Sequence, residues 1–311
     1  AVELLVLLAF DGNELIGIAP LCIEKKWING IPEKVLTFIG APNLASDYVD
    51  FIIKNEKQEV LEDFLLTIRQ NCKRWTLFSW PNMPGFSVNR LRTEEYFSLR
   101  RFSALTTFMY DAPVWERKSG ESDKEVLEKK SVKRQVKTLE KLGELDFCHL
   151  DDSEDAHREL SILVEQHKTR WAGTKYPSLF NDEKQVEFYH SIIDEMWMSG
   201  VVKFSRLCID QCPVALHFGF EYNRSYLWYK PSFDQEYAQH SPGQVLLFYL
   251  LKYSAQEQLR EFDFGCGSEF FKYRFSNNVR KIYKLNIYQR KSSALIARLR
   301  SGLRSLKKKK K

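Results

Sequence analysis

The sequence is poor in most of the short motifs by which function is usually read. Its six cysteines, at 22, 72, 148, 208, 212 and 266, contain no C-x-x-C pair. Cys208 and Cys212 sit four apart around a turn, and the set reads as small buried hydrophobes in a reducing compartment, not as a disulfide framework. The six histidines are scattered without metal-ligand spacing, so no metal centre is expected. Neither G-x-x-x-x-G-K-[ST] nor G-x-G-x-x-G occurs, which weighs against nucleoside triphosphate and dinucleotide binding. Long apolar runs are missing too. The best, from Val245 through Leu246, Leu247, Leu250 and Leu251, suits a buried helix and is too short to span a bilayer. Residues 2–10 are apolar but run straight into Asp11-Gly12, so they read as a strand and not as a signal peptide.

Charge of one sign is also missing from the body of the chain. The net charge is +6, yet ten Lys and Arg and no acid fall from Arg290 onward, which leaves 37 cations against 41 anions before it. A slightly acidic body argues against nucleic-acid binding, which needs a basic surface on the fold itself. What remains is ample: 44% apolar and 14% aromatic residues in 311, a length for which two domains are expected.

One stretch organises the rest. Residues 226–229 alternate like a strand, a polar loop ends in Ser241-Pro242-Gly243, and the leucine-rich helix follows. A second strand, residues 261–264, then breaks at Gly265 and Gly267. Strand, loop, helix and strand make a β-α-β unit whose helix start presents backbone N–H groups suited to a phosphate.

The remaining elements follow from periodicity. Residues 3–10 and 15–24 flank Asp11-Gly12-Asn13 as a hairpin, in which Pro20 is expected to bend or end the pairing. Residues 35–39, 48–53 and 75–80 read as strands, and 58–71 as a helix buried through Val60, Leu61, Phe64, Leu65 and Ile68. A polar boundary near 115–124 leads to the capping-box pattern Ser122-Asp123-Lys124-Glu125 and a helix with Val132, Val136 and Leu139 on one face. Its other face is dense in Lys and Arg and reads as solvated. Helices from 152 to 171 and from 183 to 198 precede three antiparallel strands at 201–209, 214–220 and 226–229. A short helix at 268–275 and a strand at 281–289 close the half. The expected fold is therefore α/β (α+β), with residues 1–112 and 122–290 as two halves and 291–311 as a basic amphipathic tail.

The order of elements, with a ligand loop between the third meander strand and the next helix, resembles the GNAT acyltransferase core. The motifs narrow it: His167-x-x-Arg170-Trp171, Phe233-Asp234-x-x-Tyr237, Ser241-Pro242-Gly243 and Asp263-Phe264-x-x-Gly267-x-Glu269-x-x-Lys272. Together they resemble the CelD-like (BioF2-like) acetyltransferases of bacterial polysaccharide biosynthesis, cousins of the FemAB-like aminoacyl transferases, which pair two GNAT-like halves. Residues 14–23 with Ser46-Asp47-Tyr48 resemble the opening half, lacking its first strand and helices. The resemblance implies an acyl-CoA donor, acetyl-CoA first, with its pyrophosphate held at Gln239, His240, Ser241, Gly243 and Gln244. In this chain Ser-Pro-Gly replaces the family's Q/R-x-x-G-x-G/A loop, and the proline removes one donor.

Acyl transfer to an amine or hydroxyl needs a base, oxyanion donors and an acid for the leaving thiolate. Asp263, between Phe262 and Phe264, is either a base at the splay of the sheet or a hydrogen-bonded strand-end carboxylate. Glu269 and Lys272, three apart, form either a surface ion pair or a base with an electrostatic clamp. The FemAB-like Gly-x-x-x-x-Lys pattern implies that Lys272 holds an anionic substrate group. Arg170 suits a phosphate or carboxylate, with Trp171, Tyr229 and Asp47 as further substrate contacts. His167 reads as a packed histidine, and Tyr273 falls where the thiolate acid is expected. In the tail, Leu295, Ile296, Leu299 and Leu303 at helical spacing among arginines, then five lysines, suit an anionic membrane surface or a disordered charged end.

Three functions are thus open. The first is a cytoplasmic acyltransferase, peripheral to the inner membrane face if the tail binds lipid, acting on an amino sugar or polysaccharide precursor. The second keeps the fold and uses aminoacyl-tRNA as donor. The third is a non-catalytic module that binds a glycan or a synthase partner.

Overall fold

Gly12 takes φ +59°, which lets the chain reverse in two residues between strands β1 (Val2–Asp11) and β2 (Glu14–Ile28), paired antiparallel from Val2↔Glu24 to Asp11↔Glu14. The computed structural model describes residues 2–28, 30–41, 46–118, 127–297 and 299. The capping-box pattern at Ser122–Glu125, Leu303 and the five terminal lysines lie outside them.

Pro20 does not end the hairpin. It pairs with Val6, and β2 runs on to Ile28. The reason lies on the other edge of the strand. The Pro20 carbonyl accepts the Ile39 N–H at 2.8 Å, so its missing N–H faces the end of β3 (Ile31–Phe38), whose pairing starts only at Leu21↔Phe38.

The chain divides into two compact units, Ala1–Ala112 with residues from Arg280 onward, and Pro113–Val279. Each is a mixed, mostly antiparallel sheet flanked by helices. In the first unit the strand order is β1-β2-β3-β5-β12, with β5 at Leu77–Pro84 and β12 at Asn278–Tyr288; the short β4 (Ile52–Ile53) pairs with β2. Strands β3 and β5 run parallel. Helices α1 (Val60–Gln70) and α2 (Val88–Ser98) belong to this unit, and its core joins Leu61, Phe64 and Ile68 to Phe38, Phe78 and Trp80. The strand expected to close the second half instead pairs with β5, from Ile282↔Pro84 to Tyr288↔Leu77, and so groups with the first.

In the second unit the order is β6-β11-β10-β9-β8-β7. These are the end of β6 (Ser103–Glu116), then β11 (Glu261–Asp263), β10 (Ser225–Phe233), β9 (Cys212–Tyr222), β8 (Val202–Ile209) and β7 (Leu145–His149). Helices α3 (Lys130–Leu139) and α6 (Pro242–Gln256) share one core with Tyr226, Trp228 and Phe262. Helices α4 (Ser153–Trp171) and α5 (Glu183–Met196) share another with Phe204, Leu216 and Phe218. Since side chains alternate along a strand, the two cores lie on opposite faces of this sheet. Strands β10 and β11 are parallel and joined through α6, the crossover that such a pair requires. All six cysteines are free thiols.

Candidate active site

The parallel pair is short. Ser225, Tyr226 and Leu227 pair with Glu261, Phe262 and Asp263, and there β11 stops, while β10 continues for six residues to Phe233. Six residues of strand cover about 20 Å. At the parting β10 also loses register with β9, because Leu227 faces Phe220 but Lys230 faces Phe218. Trp228 and Tyr229 therefore stand opposite Gly219 alone, a bulge of two residues against one. Trp228 is buried against the α6 side, while Tyr229 packs with Phe220 and Tyr189 in the core under α4 and α5.

The far end of β10 meets the start of α6. A Cβ placed on Gly243 would lie 3.3 Å from the Phe233 ring, so the helix begins in contact with the strand end. Between them runs a short 3₁₀ segment, Gln235–His240, capped by the Asp234 carboxylate, which accepts the Glu236 N–H at 2.9 Å. Ser241 then adopts a left-handed conformation, φ +58°. Most of the amides expected to face a phosphate are already used. Ser241 N–H donates to the Ala238 carbonyl, Gln244 and Val245 N–H donate to the Ser241 carbonyl, and Pro242 has none to give. Among the described residues this leaves the Gly243 N–H as the open donor of the stretch. The Gln239 and His240 side chains lie 3.1 Å apart on the preceding turn. The Gln244 side-chain carbonyl is held by Gln135 of α3 at 3.3 Å and by Arg274 at 3.2 Å, and Arg274 also reaches Ser131.

Arg170 approaches the same strand end from α4. Its guanidinium stands 4.9 Å from the centre of the Phe233 ring and 5.5 Å from that of Trp171. A cation and an amide thus flank one phenylalanine, Arg170 on its ring and Gly243 at its edge. His167 is packed, as its spacing suggested. Its Nδ1 lies 2.8 Å from Ser178 Oγ, its ring meets Phe180, and burial pushes its pKa down to about 4.

At the parting, Asp263 is 4% exposed and accepts the Gly265 N–H at 2.8 Å, which fixes the turn that follows. Lys272 is equally buried, on helix α7 (Phe270–Phe275). Its ammonium donates to the Cys266 carbonyl at 2.8 Å and pairs with Glu269 at 2.9 Å, whose side chain is 56% exposed. The pair is therefore not a free surface couple. One partner is sunk into the fold and pins the 265–269 turn, and the other faces outward. Tyr273 is 36% exposed on the same helix. In the first unit, Asp47 sits half-buried in the loop before β4. That unit also has a cavity of about 400 Å³ lined by Lys25, Lys34, Lys73 and Arg74 among others, which no sequence motif had marked. No group of three or more His, Cys, Asp or Glu among the described residues could hold a metal ion.

Sequence reasoning missed a polar row across the second sheet. His149, Ser205 and His217 lie opposite one another on β7, β8 and β9. Ser205 Oγ is 2.8 Å from His149 Nδ1 and 3.5 Å from Tyr226 Oη, which is 3.3 Å from His217 Nδ1. Burial holds His149 near a pKa of about 4 and His217 well below the ordinary range, so both are neutral. The only sequence signal for this row is polar residues at inward positions of otherwise apolar strands.

Residues 128–273 match the family model described as an acetyltransferase (GNAT) domain. No curated protein matches the chain. Among solved structures the crystal structure of FemX is similar with a TM-score of 0.61 at 10% identity, over 91% of this chain and 88% of that one. The structure of L-PGS from Bacillus licheniformis is similar with a TM-score of 0.55 at 9% identity, over 91% of this chain and 83% of that one. At these identities the likeness is one of fold: two GNAT-like halves in tandem, the second carrying the domain match.

Proposed function

We propose that the second unit is a GNAT-type acyltransferase of the CelD-like kind, moving an acetyl or longer acyl group from acyl-CoA to an amino sugar or polysaccharide precursor. One observation carries the reading. Strands β10 and β11 part at Leu227 and Asp263, and β10 leads from that opening to an open amide and a guanidinium at the start of α6. A donor with a diphosphate at one end and a thioester at the other fits such a path. The diphosphate takes the Gly243 N–H and Arg170, with Gln239, His240, Ser241 and Gln244 around it. Arg170 supplies charge where Ser-Pro-Gly withholds amides. The acyl carbon comes to the opening beside Asp263.

In this reading Glu269 takes the proton of the attacking amine or hydroxyl. A C–N or C–O bond forms at the acyl carbon, the C–S bond breaks, and the thiolate leaves with a proton from an acid in the region of Tyr273. Lys272, held by the Cys266 carbonyl, keeps a fixed positive charge for an anionic group of the acceptor, and Asp263 shapes the turn that carries both. Trp171 and Tyr229 stand as acceptor contacts. The enzyme works in the cytoplasm, with the basic tail drawing it to an anionic membrane surface.

A second reading, aminoacyl-tRNA as donor, is favoured by the likeness to FemX. Calorimetry with acetyl-CoA and longer acyl-CoAs, beside a band-shift with charged tRNA, separates the two. Binding of an acyl-CoA in the micromolar range supports the first. A shift with charged tRNA alone moves the assignment to the second. Neither would leave a glycan- or synthase-binding module and end the transferase reading.

A further inference from the structure

A side chain helps to hold the bulge in β10. His217 is fully buried on β9, and its Nε2 accepts the Tyr229 N–H at 3.1 Å. A ladder bond that the bulge breaks is thus replaced by an imidazole. The ring lies parallel to the Trp228 indole, 4.4 Å away at 11°, and against Tyr226 at 5.8 Å.

A second residue is specialised for the same contact. Gly219 follows two positions later on the same face of β9. A Cβ there would come within 2.2 Å of His217 Cε1, 2.9 Å of its Nδ1 and 2.9 Å of the Leu227 carbonyl oxygen. Only glycine leaves room for the imidazole to fold back along its own strand and reach the next one. The proton inventory is also settled. A ring that accepts at Nε2 and is neutral carries its hydrogen on Nδ1, facing the Tyr226 hydroxyl at 3.3 Å.

We propose that His217 is a positioning residue for the transfer: it clamps the Tyr229 amide, with Gly219 making the space, and so fixes where β10 parts from β11 for the thioester arm of the donor. The clamp begins at the first residues after the last β10–β11 pair, Leu227 and Asp263. Without it the Tyr229 amide loses its imidazole acceptor at the point where the acyl group must be aligned. Misplacement of that order weakens productive binding and transfer by factors of ten to a hundred. The inference rests on the reading of the site as an acyl-donor site, and the test keeps the two apart.

The full chain is compared with His217→Gln, which keeps an acceptor near the Nε2 position, and His217→Leu, which does not. Amide exchange of Tyr229 should be slow in the wild type and in H217Q and at least tenfold faster in H217L. The acetyl-CoA dissociation constant should rise about tenfold in H217L and stay within threefold in H217Q. Unchanged exchange in H217L overturns the clamp. Acetyl-CoA binding by wild type and H217L alike overturns the positioning role and leaves the donor site standing, whereas no binding by the wild type overturns both. Should H217L fail to fold, ¹⁵N-histidine spectra of the wild type decide. His217 should show a bare Nε2 and a protonated Nδ1 throughout pH 5–8, and a protonated Nε2 contradicts the acceptor role.

Discussion

His149 shows how a single buried side chain ties stability to pH. Its pKa is about 4 in the fold, mainly through burial with Lys203 adding repulsion, against an ordinary 6.5. Between these values the unfolded chain binds a proton that the folded one refuses, so stability falls as pH drops through that window and is flat above it for this group. Relative to His149→Gln, the wild type should lose about 2 kcal/mol between pH 7.5 and 5 in urea unfolding. A difference that does not change with pH would contradict it. At this scale the sequence was legible where spacing spoke. His167 packs as expected, and Glu269 and Lys272 do meet. It was silent on which lysine is buried, because the Cys266 carbonyl that receives Lys272 comes from a turn whose path depends on Gly265 at φ +68° and Gly267 at φ +119°.

Strands and helices were readable where burial is periodic and unreadable where tertiary contacts set the pairing. The first hairpin and α1 follow their patterns, the latter burying all five residues its spacing marked. Strand β7 is too short to show alternation, and α2 buries only Thr93 and Phe97, so neither was legible. Strand β10 was read as four residues and is nine, since the Pro231 that argues against a strand lies beyond its pairing with β11. Two glycines at this scale should behave oppositely. Gly219→Ala meets a buried ring and a carbonyl and should cost about 3 kcal/mol or more. Gly243→Ala meets only the edge of Phe233, at 3.3 Å, in the first turn of a helix, where alanine is a good former; its cost should stay under about 1 kcal/mol. Denaturation midpoints of the two variants check the contrast. Equal costs would mean that the space around β9 is not as tight as the geometry states.

At the scale of the whole chain, the division of charge is legible in the sequence itself. Helical residues near the end bury Ala294 and leave Leu295 at 59% and Leu299 at 61% exposure, in a stretch whose sequence is rich in Lys and Arg. Each cation near anionic lipid contributes about 1 kcal/mol. Replacing Lys307, Lys308, Lys309, Lys310 and Lys311 by Gln should abolish co-sedimentation with phosphatidylserine vesicles at low salt. Retention equal to that of the wild type would remove the membrane from the account. The tandem plan was legible through element order. The partner of β12 was not, because pairing across some two hundred residues leaves no local trace.

The central claim is that a diphosphate is held at the start of α6 by the Gly243 amide and Arg170. Calorimetric titration with coenzyme A and, separately, with pantetheine, which keeps the thiol arm and lacks the diphosphate, tests it most directly. Coenzyme A should bind at least tenfold more tightly than pantetheine, and Arg170→Ala should remove most of that difference. Equal affinities for the two ligands, or no binding of coenzyme A at all, would contradict it.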